Sequence, residues 1–137
     1  MRAVVDTNVL ISATFWTGRP KRILNRIRHG EITFLTSQIL LDELKDILIR
    51  TDKPFRLTKT EAEHVVTVMR NLAEIIQPHS NLAICRDKND NKVLECAVDG
   101  QAEWIITGDQ HLLELRSFQG IRIVTPQDFL NQFESKR

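Results

Sequence analysis

The chain has 137 residues, 42% of them apolar, and its 19 basic and 18 acidic side chains leave a formal charge of +1. That length and composition fit a single domain spanning residues 1–137, with a core that needs neither disulfides nor a structural metal, and the near-neutral total by itself points to no partner. No apolar run approaches the roughly 18 residues that cross a membrane, and Asp6 and Asn8 break the segment that a secretory leader would keep apolar; the cytoplasm is the expected compartment.

Ala3, Val4 and Val5 form a short β-branched run that reads as a buried strand, stopped by Asp6 before apolar residues resume at Val9. A helix starting near Val9 is broken by Thr17-Gly18-Arg19-Pro20, and Pro20 suits the first turn of the next helix, whose stripe is Ile23, Leu24 and Ile27. That helix is basic, with Arg19, Lys21, Arg22, Arg26 and Arg28 and no acid until Glu31. A solvated face explains such a run as readily as polyanion binding does. Ile32 to Thr36 reads as a second strand, and Thr36 or Ser37 caps a helix carrying Ile39, Leu40, Leu44, Ile47 and Leu48.

Arg50 to Lys59, with Asp52-Lys53-Pro54 inside it, is a polar loop. A helix then begins at Thr58 or Thr60, followed by an extended stretch at Glu74 to Gln77 and a polar segment from Asn81 to Asn91. Lys92 to Val98 reads as a helix ended by Gly100, with Cys96 a small core residue; neither Cys85 nor Cys96 has CxxC or zinc spacing. Trp104 to Thr107 is a further strand, followed by Gly108-Asp109 and a short helix around Leu112. Ile121 to Val124 is the last strand, and Pro126 starts a final helix with Phe129, Leu130 and Phe133. Strands alternating with helices predict an α/β fold with a parallel sheet of five strands, at about 2–6, 32–36, 74–77, 104–107 and 121–124, covered by helices on both faces.

Four carboxylates fall at comparable places in this pattern. Asp6 ends the first strand, Glu43 lies about two turns into the helix after the second, Asp90 opens the helix before the fourth, and Asp109 follows the fourth. Taken singly, Asp90 is an ordinary helix cap and Asp109 an ordinary turn residue. In a parallel sheet, however, these positions point to one edge, where open α/β sheets bind their ligands. Two carboxylates about 5 Å apart repel by roughly 3 kcal/mol at an effective dielectric near 20. A cluster of them must share protons or a cation, and oxygen ligands without His or Cys favour Mg²⁺ or Mn²⁺. The chemistry this suggests is metal-assisted hydrolysis of a phosphodiester.

The ordered motifs Val5-Asp6-Thr7-Asn8-Val9-Leu10, Ser37-x-x-Leu40-x-x-Glu43-Leu44, Asp87-x-x-Asp90-Asn91-x-Val93-Leu94 and Ile106-Thr107-Gly108-Asp109-x-x-Leu112-Leu113 resemble those of PIN domains. The resemblance runs from Val4 to about Phe129 and is greatest to the PIN-family toxins of bacterial and archaeal toxin–antitoxin pairs. It implies a three-layer α/β/α fold around a five-stranded parallel sheet and a Mg²⁺- or Mn²⁺-dependent ribonuclease acting on single-stranded RNA regions. It also implies a catalytic quartet of Asp6, Glu43, Asp90 and Asp109, with Asp6, Asp90 and Asp109 as metal ligands and Glu43 completing the shell or orienting water. Asp87 competes with Asp90 for the third place. Asn8 and Thr107 match supporting positions that act through hydrogen bonds, and Arg19, Lys21, Arg22 and Arg26 are candidate RNA contacts. A homodimer and an inhibitory antitoxin are the implied partners; Leu40, Leu44, Ile47 and Leu48 fit either core or a dimer face.

Three other readings compete. A phosphotransferase would use Asp6 as a nucleophile, but the residue two places on is Asn8 rather than a second acid. A catalytically silent PIN fold serving as an RNA- or protein-binding module would have no need to keep four mutually repelling acids. A host RNA-processing nuclease would share the chemistry without the toxin role.

Overall fold

The computed structural model describes residues 1–50 and 53–135. Thr51 and Asp52, which belong to the predicted polar loop, lie outside the described residues. In chain order the elements are β1 (Arg2–Val5), α1 (Thr7–Phe15), α2 (Arg19–Arg28), β2 (Thr33–Ser37), α3 (Gln38–Leu48), α4 (Lys59–Leu72) and β3 (Ala73–Ile76). There follow α5 (Lys88–Asp99), β4 (Trp104–Ile106), α6 (Gln110–Leu113), β5 (Ser117–Phe118), β6 (Ile121–Val124) and α7 (Pro126–Ser135).

The sheet has six strands in the order β3-β2-β1-β4-β6-β5. Five of them are parallel, in the register Val4↔Leu35, Val4↔Ile105, Leu35↔Glu74 and Ile105↔Ile123. Side-chain alternation along the strands divides the core. Ala3, Val5, Phe34, Trp104 and Ile106 face α1 to α4 and α7, while Val4, Leu35, Ile105, Ile121 and Ile123 face α5 and α6. The result is the expected three-layer α/β/α sandwich. Leu40, Leu44 and Leu48 are all buried, which makes them core rather than a dimer face.

The sixth strand was not expected. It is a two-residue antiparallel edge, β5, paired to β6 through Phe118↔Ile121. The two intervening residues, Gln119 and Gly120, both have positive φ, at 49° and 82°. That is the backbone demanded by the tight hairpin turn whose twist matches the strands. The strand is too short for any alternation to announce it, and Gly120 is its one sequence signal.

Helix caps follow the sequence closely. The Ser37 hydroxyl accepts from the Leu40 amide to start α3, and Thr58 and Glu61 form a reciprocal capping box on α4. The start of α5 differs from expectation. It begins at Lys88, capped by the exposed Asp87, so Asp90 sits inside the first turn instead of opening the helix. Truncating a core residue tests the packing: Leu44, 0% exposed between α3 and its neighbours, should lose about 2–5 kcal/mol of unfolding free energy as Leu44→Ala in urea denaturation.

Candidate active site

The strand order reverses at β1: the chain moves outward to β2 and β3, then returns to the other side of β1 as β4. The crevice outside the carboxyl ends of β1 and β4 is therefore the topological switch point, the place where such sheets bind ligands. Asp6 and Thr107 are the first residues beyond these two ends. The Asp6 amide still donates to the Ile106 carbonyl at 2.9 Å, and the Thr107 amide to the Val124 carbonyl at 2.9 Å, so the ladder holds both residues in place.

Asp6 is 8% exposed and Thr107 0%. One Asp6 oxygen, Oδ1, accepts from the Thr7 amide at 2.7 Å as α1 begins; the other, Oδ2, accepts from the Thr107 hydroxyl at 2.7 Å. The same Thr107 oxygen accepts from the Asp109 amide at 3.0 Å, while Asp109 caps α6 by accepting from the His111 and Leu112 amides. A single buried hydroxyl thus joins two of the expected acids. Asn8 lies exposed on the first turn of α1, with no hydrogen bond to its side chain among the described residues.

Asp90 is buried, and its Oδ2 has no hydrogen-bond partner. A buried carboxylate oxygen without a donor is costly unless a proton or cation meets it. Burial, then Asp109, Asp87 and Asp6, push its pKa up to about 6, against a smaller opposing effect of His111. Glu43, half-buried on α3, is raised to about 7 by burial and by Asp6, Asp87 and Asp90. Asp6 is also raised, by burial first, with Asp109 and Asp87 adding to it while the Thr107 and Thr7 hydrogen bonds pull the other way. The four expected acids and Asp87 thus share one electrostatic neighbourhood. Asp87 is exposed and occupied in capping α5, whereas Asp90 is buried with an oxygen unspent.

Among the described residues no three such side chains already enclose a point as a metal cage. The donor set is nonetheless oxygen-only and mutually repelling, and it includes the orphaned Asp90 oxygen, a chemistry that fits a hard divalent cation. Asp6, Asp90 and Asp109 would hold it.

The first turn of α5 separates two clefts of about 430 Å³ each. One is lined by Asn89 with Glu43, Asp42, Asp46, Ile47 and Arg50; the other by Asp87 and Asp90 with Ile84, Cys85, Arg86, His111 and Leu115. The basic helix α2 lies elsewhere, against α7. Arg22 and Arg26 pair with Glu134 at 2.6 and 2.8 Å, and Arg26 also with Glu31 at 3.2 Å, while Arg19 is exposed and Lys21 partly so.

Asn91 was named in the motif but given no role by its sequence. Its side-chain oxygen accepts from the Ile84 and Cys85 amides at 3.1 and 2.8 Å, and its nitrogen donates to the Cys85 carbonyl at 2.9 Å. One turn on, Glu95 accepts from the Leu82 amide at 2.8 Å; a further turn on, Asp99 accepts from the His79 and Ser80 amides at 2.8 and 2.9 Å. The i, i+4, i+8 spacing of Asn91, Glu95 and Asp99 along one side of a helix whose other residues past Lys92 are apolar was the available signal.

The sequence pattern of the PIN domain matches residues 2–111. An uncharacterized protein of Methanocaldococcus jannaschii is 31% identical over 144 aligned residues, which cover 98% of this chain and 92% of that one. A chain from the crystal structure of VapBC2 from Rickettsia felis, bound to a DNA fragment from their promoter, is similar with a TM-score of 0.61 at 16% identity, over 90% of this chain and 97% of that one. This last likeness is one of fold. The chain belongs to the PIN domain family.

The raised carboxyl pKa values fix a pH dependence. A carboxyl whose folded pKa lies above its unfolded value favours the folded state most at low pH, and that contribution is lost as pH rises through the folded pKa. With EDTA present, Glu43 and Asp90 should therefore cost stability progressively between about pH 4.5 and 8. Glu43→Gln should raise Tm at pH 8 and leave it nearly unchanged at pH 4. The rise should be a few degrees, since about 1 kcal/mol moves Tm by roughly 3–5 °C in a domain of this size and solvent screens a half-buried group. Thermal melts of both proteins across that range check it.

Proposed function

We propose that this PIN-domain protein is a Mg²⁺- or Mn²⁺-dependent endoribonuclease that hydrolyses phosphodiester bonds in single-stranded regions of RNA, and that it serves as the toxin of a toxin–antitoxin pair. The observation that carries the reading is the gathering of Asp6, Glu43, Asp90 and Asp109 at the switch point, with a buried Asp90 oxygen left without a donor. Membership of the PIN family and the motif resemblance to its toxins support the same reading.

When bound at Asp6, Asp90 and Asp109, a divalent ion supplies Lewis acidity, making water a better nucleophile at neutral pH and offsetting the charge that develops on the phosphoryl oxygens. The chain's own residues do the rest. Thr107 fixes the rotamer of Asp6 and, through the Asp109 amide, the start of α6. Glu43, half-buried beside these acids, orients the attacking water and accepts its proton. The attack breaks the bond to the ribose 3′-oxygen, so the products carry a 5′-phosphate and a 3′-hydroxyl. Arg19 and Lys21 supply sequence-independent phosphate contacts farther along the strand; Arg22 and Arg26 join them only by leaving Glu134. An antitoxin and a second copy of the chain are the proposed protein partners. No helix among the described residues is long and apolar enough to cross a membrane, in keeping with a cytoplasmic enzyme.

Cleavage of a structured RNA with single-stranded loops is expected with Mn²⁺ or Mg²⁺, to be abolished by EDTA, and to fall at least a hundredfold in Asp6→Asn purified in the same way. Cutting that persists in Asp6→Asn would assign the activity to a contaminant. Saturating Mn²⁺ should also raise Tm of the wild type at pH 8, because a ligand bound only by the folded state stabilises it. Failure of both readouts would leave a silent binding module as the function.

A further inference from the structure

We propose that Arg86 binds a backbone phosphate of the RNA strand next to the bond being cut, in the cleft that its side chain shares with Asp90; the inference rests on the nuclease reading above. One divalent ion does not cancel four carboxylates and Asp87, so a fixed cation beside them favours the approach of a polyanion. In the cleft formed by Ile84, Cys85, Arg86, His111 and Leu115 against Asp87 and Asp90, Arg86 is the one permanently charged base.

Its surroundings are built. The two residues before it are gripped by Asn91, and the residue after it is the α5 cap Asp87. The guanidinium therefore swings from an anchored point although no regular element carries it. Several arginines elsewhere in the fold are spent on glutamates: Arg2 on Glu74, Arg22 and Arg26 on Glu134. Arg86 makes no hydrogen bond or ion pair among the described residues, even with Asp87 and Asp90 lining the same cleft. A planar fork of donors left unpaired beside a phosphodiester-cutting centre matches phosphate geometry. Ile84, 51% exposed, and Leu115 offer an apolar wall to the sugar or base of the same nucleotide. The second cleft on the far side of the α5 first turn gives the strand a path onward, which favours a polymer over a free nucleotide.

The test uses the full chain as wild type, Arg86→Gln and Arg86→Lys, with a single-stranded RNA oligonucleotide as probe. Arg86→Gln should raise KM about tenfold and leave kcat within about twofold, since the group binds without entering the chemistry. Measured on an Asp6→Asn background, where RNA binds uncut, Arg86→Gln should reduce the salt slope of log Kd by about one phosphate contact; Arg86→Lys should restore most of that slope. The Mn²⁺-induced rise in Tm should be equal in all three, which reports an intact fold and acidic centre. A wild type that cuts RNA, with KM and salt slope unmoved by Arg86→Gln, overturns the inference and leaves the nuclease reading standing. A fall in kcat at constant KM overturns it too, by placing Arg86 in the chemistry. A wild type that neither binds nor cuts overturns both.

Discussion

The hydrogen bond from the Thr107 hydroxyl to Asp6 is the interaction on which the site depends. It spans the switch point, joining the end of the central strand β1 to the end of its neighbour β4, two segments about a hundred residues apart in the chain. Burial raises the cost of a charged Asp6, and the Thr107 and Thr7 donors oppose that cost without supplying a countercharge. A basic partner would have neutralised Asp6 and ended its usefulness. A hydroxyl instead fixes the carboxylate in place and leaves its negative charge available to a ligand. The backbone ladder that continues one residue past both strands makes the placement a property of the sheet rather than of a loop.

Around that fixed point the protein gathers acids that disfavour one another. Each arrives on a different element: β1, α3, the first turn of α5, and the turn after β4. None of these elements is held in place by the acids themselves; Val4, Leu35, Leu94 and Ile105, all fully buried, do that through the core. Apolar packing thus supplies the free energy that keeps repelling groups together, and a domain with typically 5–15 kcal/mol of total stability can sustain only a few such contacts. The division of labour explains why the electrostatically unfavourable centre lies at one edge of the sheet with a mainly apolar core behind it.

Much of this was legible in the sequence. Strands β1 and β4 announced themselves because buried parallel strands are continuous apolar runs, as in Val4-Val5 and Trp104-Ile105-Ile106, whereas β3, with Glu74 in it and partly exposed throughout, shows only a short extended stretch. Asp6 stood out because it directly follows such a run; Asp109, an ordinary turn residue taken singly, stood out only by its place at the same edge of the sheet. Asp90 stood out by its place at the start of a helix aimed at that edge, but it lies one turn further into the helix, since Asp87 and Asp90 are equally good caps and only packing decides between them. The β5–β6 hairpin was invisible because two residues carry no periodicity. The pairing of Arg22 and Arg26 with Glu134 could not be read at all: it links residues over a hundred positions apart, and sequence shows charge without showing who answers it.

The ladder formed by Asn91, Glu95 and Asp99 bears on how such a protein changes over time. Successive rungs on a helix stand about 6 Å apart, close to the advance of two extended residues, so α5 grips the segment from His79 to Cys85 much as a neighbouring strand would. What the ladder grips is mostly main chain, amides and one carbonyl, with the Ser80 hydroxyl bonded to Asp99 and the His79 ring 3.5 Å from the same carboxylate. The segment's length is therefore constrained, and with Leu82 and Cys85 packed against the core the exposed Asn81, Ala83 and Ile84 are the side chains left free to vary. Ile84, at the mouth of the cleft, belongs to the free set. Such wall residues can be exchanged with the geometry of the acidic centre held constant, so the fold separates what is evolvable from what is not along a single irregular strap.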